Sequence, residues 1–146
     1  MSAARRRAAA NTQHGVLFDV RKVPAGEVVF KEGDIALHMF LVEDGQVEIS
    51  RTTKAGHRRV LGVVTRGGIF GETALVEQGP RQATARTLEP STLRVITNDL
   101  FQEKFERLDP FMKAVIRLMA RNVHSLSDKL VEADENYQDQ IIKSIF

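Results

Sequence analysis

Between Gly67 and Ala85 the chain reads Gly67-Gly68-Ile69-Phe70-Gly71-Glu72-Thr73-Ala74-Leu75-Val76-Glu77-Gln78-Gly79-Pro80-Arg81-Gln82-Ala83-Thr84-Ala85, residue types that suit the capture of a small anion. Glycines and alanines let backbone N–H groups approach an anion closely, and a short helical turn over 72–76 would present its N-terminal amides and positive dipole end. Arg81 supplies a forked cation that can neutralise a phosphate through charge-assisted hydrogen bonds. Glu72 in the same segment would repel phosphate, so its natural partners are sugar hydroxyls, which donate. These features describe a pocket for a small phosphorylated ribose. The segment lacks the Gly-Lys-Ser/Thr ending of a triphosphate-binding loop, and no base is placed for phosphoryl transfer. The four histidines, His14, His38, His57 and His124, are scattered with no pair at ligand spacing, so no metal is expected. Cysteine is absent, which removes disulfides and thiolate nucleophiles, and no enzymatic activity is expected.

The elements that must position this segment change character along the chain. Residues 1–14 form a tail with Arg5, Arg6 and Arg7, and read as disordered. From Val16 the pattern is that of strands: Val16–Arg21, then Glu27–Lys31 after the Pro24-Ala25-Gly26 turn. Met39–Val42 and Val47–Arg51 flank a Gly45-containing turn, which predicts a hairpin, and a second hairpin is predicted across a polar, basic tip at 52–59. Turn signals recurring about every ten residues are the rhythm of an all-β sandwich or barrel. That rhythm ends after Ile96. Asn98 is the predicted N-cap of a first helix carrying Leu100, Phe101, Phe105 and Leu108. Asp109-Pro110 opens a longer helix over 110–133, where Met112, Ile116, Met119, Val123, Leu126, Leu130 and Ala133 recur at heptad spacing. Beside this seam lie Phe111, Val115 and Leu118, so one apolar face is expected on the β domain while the seam is free to meet a partner helix; the alternative is that both stripes form one wide core-facing surface. Ile141, Ile142, Ile145 and Phe146 form a final apolar cluster.

Phe70-Gly71-Glu72, Ala74-Leu75 and Pro80-Arg81 with Ala83-Thr84 resemble the phosphate-binding cassette of the cyclic nucleotide-binding domain family. Upstream, Glu32-Gly33-Asp34 and Phe40-Leu41-Val42 followed by Gly45-Gln46-Val47 resemble the family's Gly-Asp motif and strand-Gly-strand hairpin. The resemblance covers residues 16 to about 130. It implies an α+β fold: an eight-stranded β jelly-roll barrel (double-stranded β-helix) over 15–97, a cassette at 67–85, and C-terminal helices over 98–146. It also implies that Arg81 pairs with the cyclic phosphate, that Glu72 accepts from the ribose 2′-hydroxyl, and that Gly71, Thr73, Ala74, Gln82 and Ala83 complete the cradle. Phe70 is expected in the core. Gln82 stands where the family commonly has Ala, Ser or Thr, and it can donate or accept at either purine. In the long helix Leu126-Ser127 stands where the catabolite activator pattern has Thr-Ser at the adenine; Ser127 is a candidate base contact, and Leu126 an apolar cap or plain packing.

Charge placement bears on the partner. Lys plus Arg is 21 against 19 Asp plus Glu, with a pI near 9.2, but Arg5–Arg7 account for the excess and the remaining body is close to neutral. No continuous basic stripe for nucleic acid is present. No apolar run suits a membrane span or a signal peptide, so a cytoplasmic protein is expected. The expected function is a stand-alone sensor for cAMP, ahead of cGMP, that signals by rearranging its C-terminal helices to an effector. A homodimer through the long helix and the absence of a DNA-binding domain belong to the same expectation. The competing expectation is a fold that has lost its ligand and serves as a protein-interaction or dimerisation module.

Overall fold

The computed structural model describes residues 19–145; the Arg-rich tail, the beginning of the first predicted strand and Phe146 lie outside the described residues. Among the described residues, eight strands form two four-stranded antiparallel sheets. One orders β1 (Asp19–Val23), β8 (Ser91–Thr97), β3 (His38–Asp44) and β6 (Ile69–Phe70); the other orders β2 (Val28–Phe30), β7 (Thr84–Thr87), β4 (Val47–Thr52) and β5 (Arg58–Val64). The core lies where the sheets face one another. Period-two alternation turns Ser91, Leu93 and Val95 of β8 inward, and Val42, Val47, Phe40, Phe70 and Ala85 join Leu93 and Val95 in one buried cluster. Phe70 stacks on Phe40 with ring centroids 5.0 Å apart. The strand count matches the predicted jelly roll, but the barrel is not closed: no ladder joins one sheet to the other among the described residues.

The hairpin predicted around Gly45 is corrected. β3 pairs with β6 and β8, whereas β4 pairs with β5 and β7, so the two strands belong to opposite sheets. Gly45 has φ +108°, and a Cβ there would lie 2.1 Å from Ser91 Oγ and 2.7 Å from Ser91 Cα. The turn is wedged against the start of β8, and the chain passes through to the other sheet instead of folding back in plane. The second predicted hairpin is present, with β4 and β5 in register from Val47↔Val64 to Thr52↔Arg58 around one bulge.

Among the described residues three helices follow or interrupt the strands: α1 (Glu72–Glu77), α2 (Asn98–Glu106) and α3 (Pro110–Ile145). The N-cap of α2 is Thr97, whose side chain accepts from Leu100 N at 3.2 Å; Asn98 is its first helical residue and accepts from Gln102. Asp109 caps α3 as expected, its carboxylate accepting from Phe111 N at 2.8 Å. α3 does not stop at 133. It runs through the polar stretch 132–136 to Ile145, 36 residues in all, because polar side chains do not break a helix and neither Gly nor Pro occurs beyond Pro110. The expected packing of Phe111 and Leu118 on the β domain is also corrected, since they are 71% and 54% exposed. α3 instead turns Ala120 and Val131 inward, with His124 and Ser127 half-buried beside them.

Candidate functional site

Arg81 is 4% exposed, and its surroundings are built from three distant parts of the chain. Its backbone is fixed first: Arg81 N donates to Asp34 O and Arg81 O accepts from Gly33 N, both at 2.8 Å, so the Glu32-Gly33-Asp34 turn holds the arginine at the end of α1. Its guanidinium then donates from Nη1 to Gly71 O at 2.9 Å and from Nη2 to His38 O, and lies 3.9 Å over the Phe30 ring. Nε is buried without a hydrogen-bond partner. Among the described residues no carboxylate comes within salt-bridge distance of this guanidinium. Burial lowers its pKa, opposed by the more distant charges of Asp34 and Glu72. Gly71 makes the close approach feasible: with φ +79°, a Cβ there would lie 2.7 Å from Arg81 Nη1 and 3.2 Å from Phe30 Cε1.

Gly71, Glu72, Thr73, Ala74, Arg81, Gln82, Ala83 and Ser127, the eight residues singled out in the sequence, all line one cavity of about 230 Å³. Glu72 opens α1 on its wall. Burial raises the Glu72 carboxyl above the ordinary carboxylate range, while hydrogen bonds from its own amide and from Thr73, and the Arg81 charge, pull the other way. The site therefore sets a buried cation and a half-buried carboxylate in one cavity. A larger depression of about 460 Å³ lies between Ile35, Leu75, Asn98 and Gln102, but no charged side chain lines it. The smaller cavity, which brings Arg81 and Glu72 together, is the candidate site.

The rest of the wall is apolar or comes from α3. Phe30, Ile49, Val64 and Val123 line it, and none of these was marked for the site by residue type. Val123 lies on the heptad seam, one turn before Ser127, and that spacing is the signal that could have found it. Leu126 does not line the cavity and is 61% exposed, so it is not an apolar cap. Gln82 donates from Nε2 to Glu77 Oε2 at 2.7 Å, and His124 Nδ1 lies 3.0 Å from the same oxygen. Ser127 Oγ accepts from Arg51 Nη1 at 3.0 Å.

Comparison with known proteins places this geometry. The family model described as Cyclic nucleotide-binding domain matches residues 20–108. The Cyclic AMP receptor protein of Thermus thermophilus is 30% identical over 73% of this chain and 49% of its own length. A cAMP-dependent protein kinase regulatory subunit of Mycosarcoma maydis is 31% identical over 81% of this chain and 22% of its own. Among solved structures, the Thermus thermophilus Catabolite Activator Protein superposes with a TM-score of 0.62 at 28% identity, covering 82% of this chain and 55% of that one. The chain thus spans about half or less of the curated relatives it matches. With the cassette motif, the two sheets and the matched 20–108 in agreement, the chain belongs to the cyclic nucleotide-binding domain family.

Proposed function

We propose that this chain is a cyclic nucleotide sensor module, binding cAMP ahead of cGMP and passing the signal through its C-terminal helices. The observation that carries the reading is Arg81: a buried guanidinium with a free Nε and, among the described residues, no carboxylate within salt-bridge distance, facing a cavity that also holds Glu72. A buried cation without a counter-ion is costly, and an anionic ligand removes that cost. The cyclic phosphate takes Arg81, with the backbone from Gly71 to Ala74 and at Gln82 and Ala83 around it. The ribose 2′-hydroxyl donates to Glu72, and the base lies toward Val123 and Ser127. The adenine preference is supported by the names of the relatives above, both of them tied to cAMP.

The module binds and does not catalyse. Ligand drawn between the cassette and α3 shifts the helix by no more than its differential affinity for the two states allows. The seam of α3 supports a homodimer as the output, because Met112, Met119, Val123, Leu126 and Leu130 are each at least 44% exposed along one side. We place the protein in the cytoplasm; no described helix is long and apolar enough to cross a membrane. One observation favours the second reading, an interaction module without ligand: Gln82 and Ser127 already spend hydrogen bonds on Glu77 and Arg51. Calorimetric titration of the wild-type chain separates them. Saturable heat with cAMP, weaker with cGMP and absent with linear 5′-AMP, is expected from the sensor; flat titrations with all three would leave the interaction module.

A further inference from the structure

We infer that Arg51 is a positioning residue for the nucleotide pocket, holding α3 at the mouth of the cavity through Ser127 and Asp128; this rests on the reading of that cavity as a cyclic nucleotide site. Arg51 lies on β4, two residues along from Ile49 of the cavity wall, and its side chain is only 17% exposed. Its Nη1 donates both to Ser127 Oγ, at 3.0 Å, and to Asp128 Oδ1, at 2.5 Å, while its Nε lies 3.6 Å from Glu32 Oε1. Glu32 is itself fixed, its Oε2 accepting from Thr52 N at 3.1 Å and its N donating to Thr84 Oγ1 at 3.0 Å, one residue beyond Ala83 of the cradle. A single guanidinium therefore ties β4, the turn that holds the Arg81 backbone, and the helix residue that lines the pocket.

The need for such a tie follows from how α3 is seated. Of its apolar seam, Met112, Met119, Leu126 and Leu130 are exposed and Val123 reaches the cavity wall, while Ala120 and Val131 are its only buried apolar residues among those described, which is little to fix the helix in rotation about its axis. Polar contacts must do so. Two further tether it to the β4–β5 hairpin: Arg59 to Asp134 at 3.7 Å, and Lys54 N to Glu135 at 2.6 Å. Neither Asp134 nor Glu135 lines the cavity. On the other side His124 meets Glu77. Arg51 alone among these contacts reaches a residue of the pocket wall, so its removal loosens the wall, whereas removal of Arg59 loosens only the distal helix.

The test is calorimetric affinity for cAMP and cGMP in the full chain, with Arg51→Met, Ser127→Ala, their double variant, and Arg59→Met. A hydrogen bond to a charged group is worth enough that Arg51→Met and Ser127→Ala should each weaken binding about tenfold. Because both substitutions break one linkage, the double variant should lose little more than the worse single, and Arg59→Met should bind as the wild type does. Asp128→Asn, an exposed substitution, should weaken binding in the same direction and decides the matter if Arg51→Met does not fold. Wild-type affinity in Arg51→Met, an equal loss in Arg59→Met, or losses that multiply in the double variant would each overturn the role of Arg51 while leaving the pocket intact. A wild-type chain that binds neither nucleotide overturns the pocket and this role together.

Discussion

Arg81 and Glu72 are held on opposite terms. Arg81 is kept charged in a nearly closed place by two backbone carbonyls and a ring face, and Glu72 keeps an acid partly out of water. A carboxyl raised by burial binds its proton more tightly in the folded than in the unfolded chain. Stability attributable to Glu72 is therefore highest at low pH, falls as pH rises from the ordinary carboxylate range through the raised folded value, and stays low above it. Glu72→Gln, which imitates the protonated form, should raise the melting temperature at pH 7, and the gain should shrink as pH falls and vanish only below the ordinary carboxylate range, where the wild-type carboxyl is protonated in both states. The same variant should weaken nucleotide binding, since an amide accepts less strongly from a ribose hydroxyl. Thermal melts across pH with parallel titrations check both halves. At this scale the sequence was informative where function rests on side-chain type, as with Arg81 in its Pro-Arg setting and Glu72 beside Gly71. Phe30 and His38 were not legible, because one acts through a ring face and the other through its backbone carbonyl, and both are brought in by strand pairing and not by local pattern.

Elements divide in a similar way. Strand positions followed from alternation and turn residues, and the β4–β5 hairpin from its polar tip. The connection at Gly45 did not follow, since a glycine turn between two apolar runs looks the same whether the strands pair or part. What decides it is the approach to Ser91, some 45 residues away in sequence. Gly45→Ala should therefore destabilise the fold by more than an exposed turn glycine would: a Cβ in contact with the Ser91 backbone forces a shift, at a cost on the order of 2 kcal/mol or more. A chemical-denaturation series with Gly56→Ala as reference, where nothing lies within 4 Å of the added Cβ, measures the difference. The full length of α3 is not legible from its apolar spacing, which lapses at the polar stretch 132–136, although a chain without Gly or Pro has no local reason to stop there.

For the whole molecule, the unresolved balance in the sequence was which side of the long helix meets the body. Most of the seam stands exposed, and α3 rests on α1 and on the β4–β5 hairpin, with Ala120 and Val131 buried and the Arg51, Arg59 and Lys54 contacts beside them. A dimer through this seam should sediment as such at micromolar concentration and become monomeric in Met119→Glu/Leu126→Glu, with the melting temperature of the body little changed. The overall charge, basic by pI, turns out to say little about the site, whose single buried cation is hidden in the totals. That cation is the centre of the account. The most direct test is calorimetry of cAMP binding to the wild type and to Arg81→Ala: removing one side of a buried charge pair should lower affinity at least about a hundredfold, and an unchanged dissociation constant would contradict the assignment.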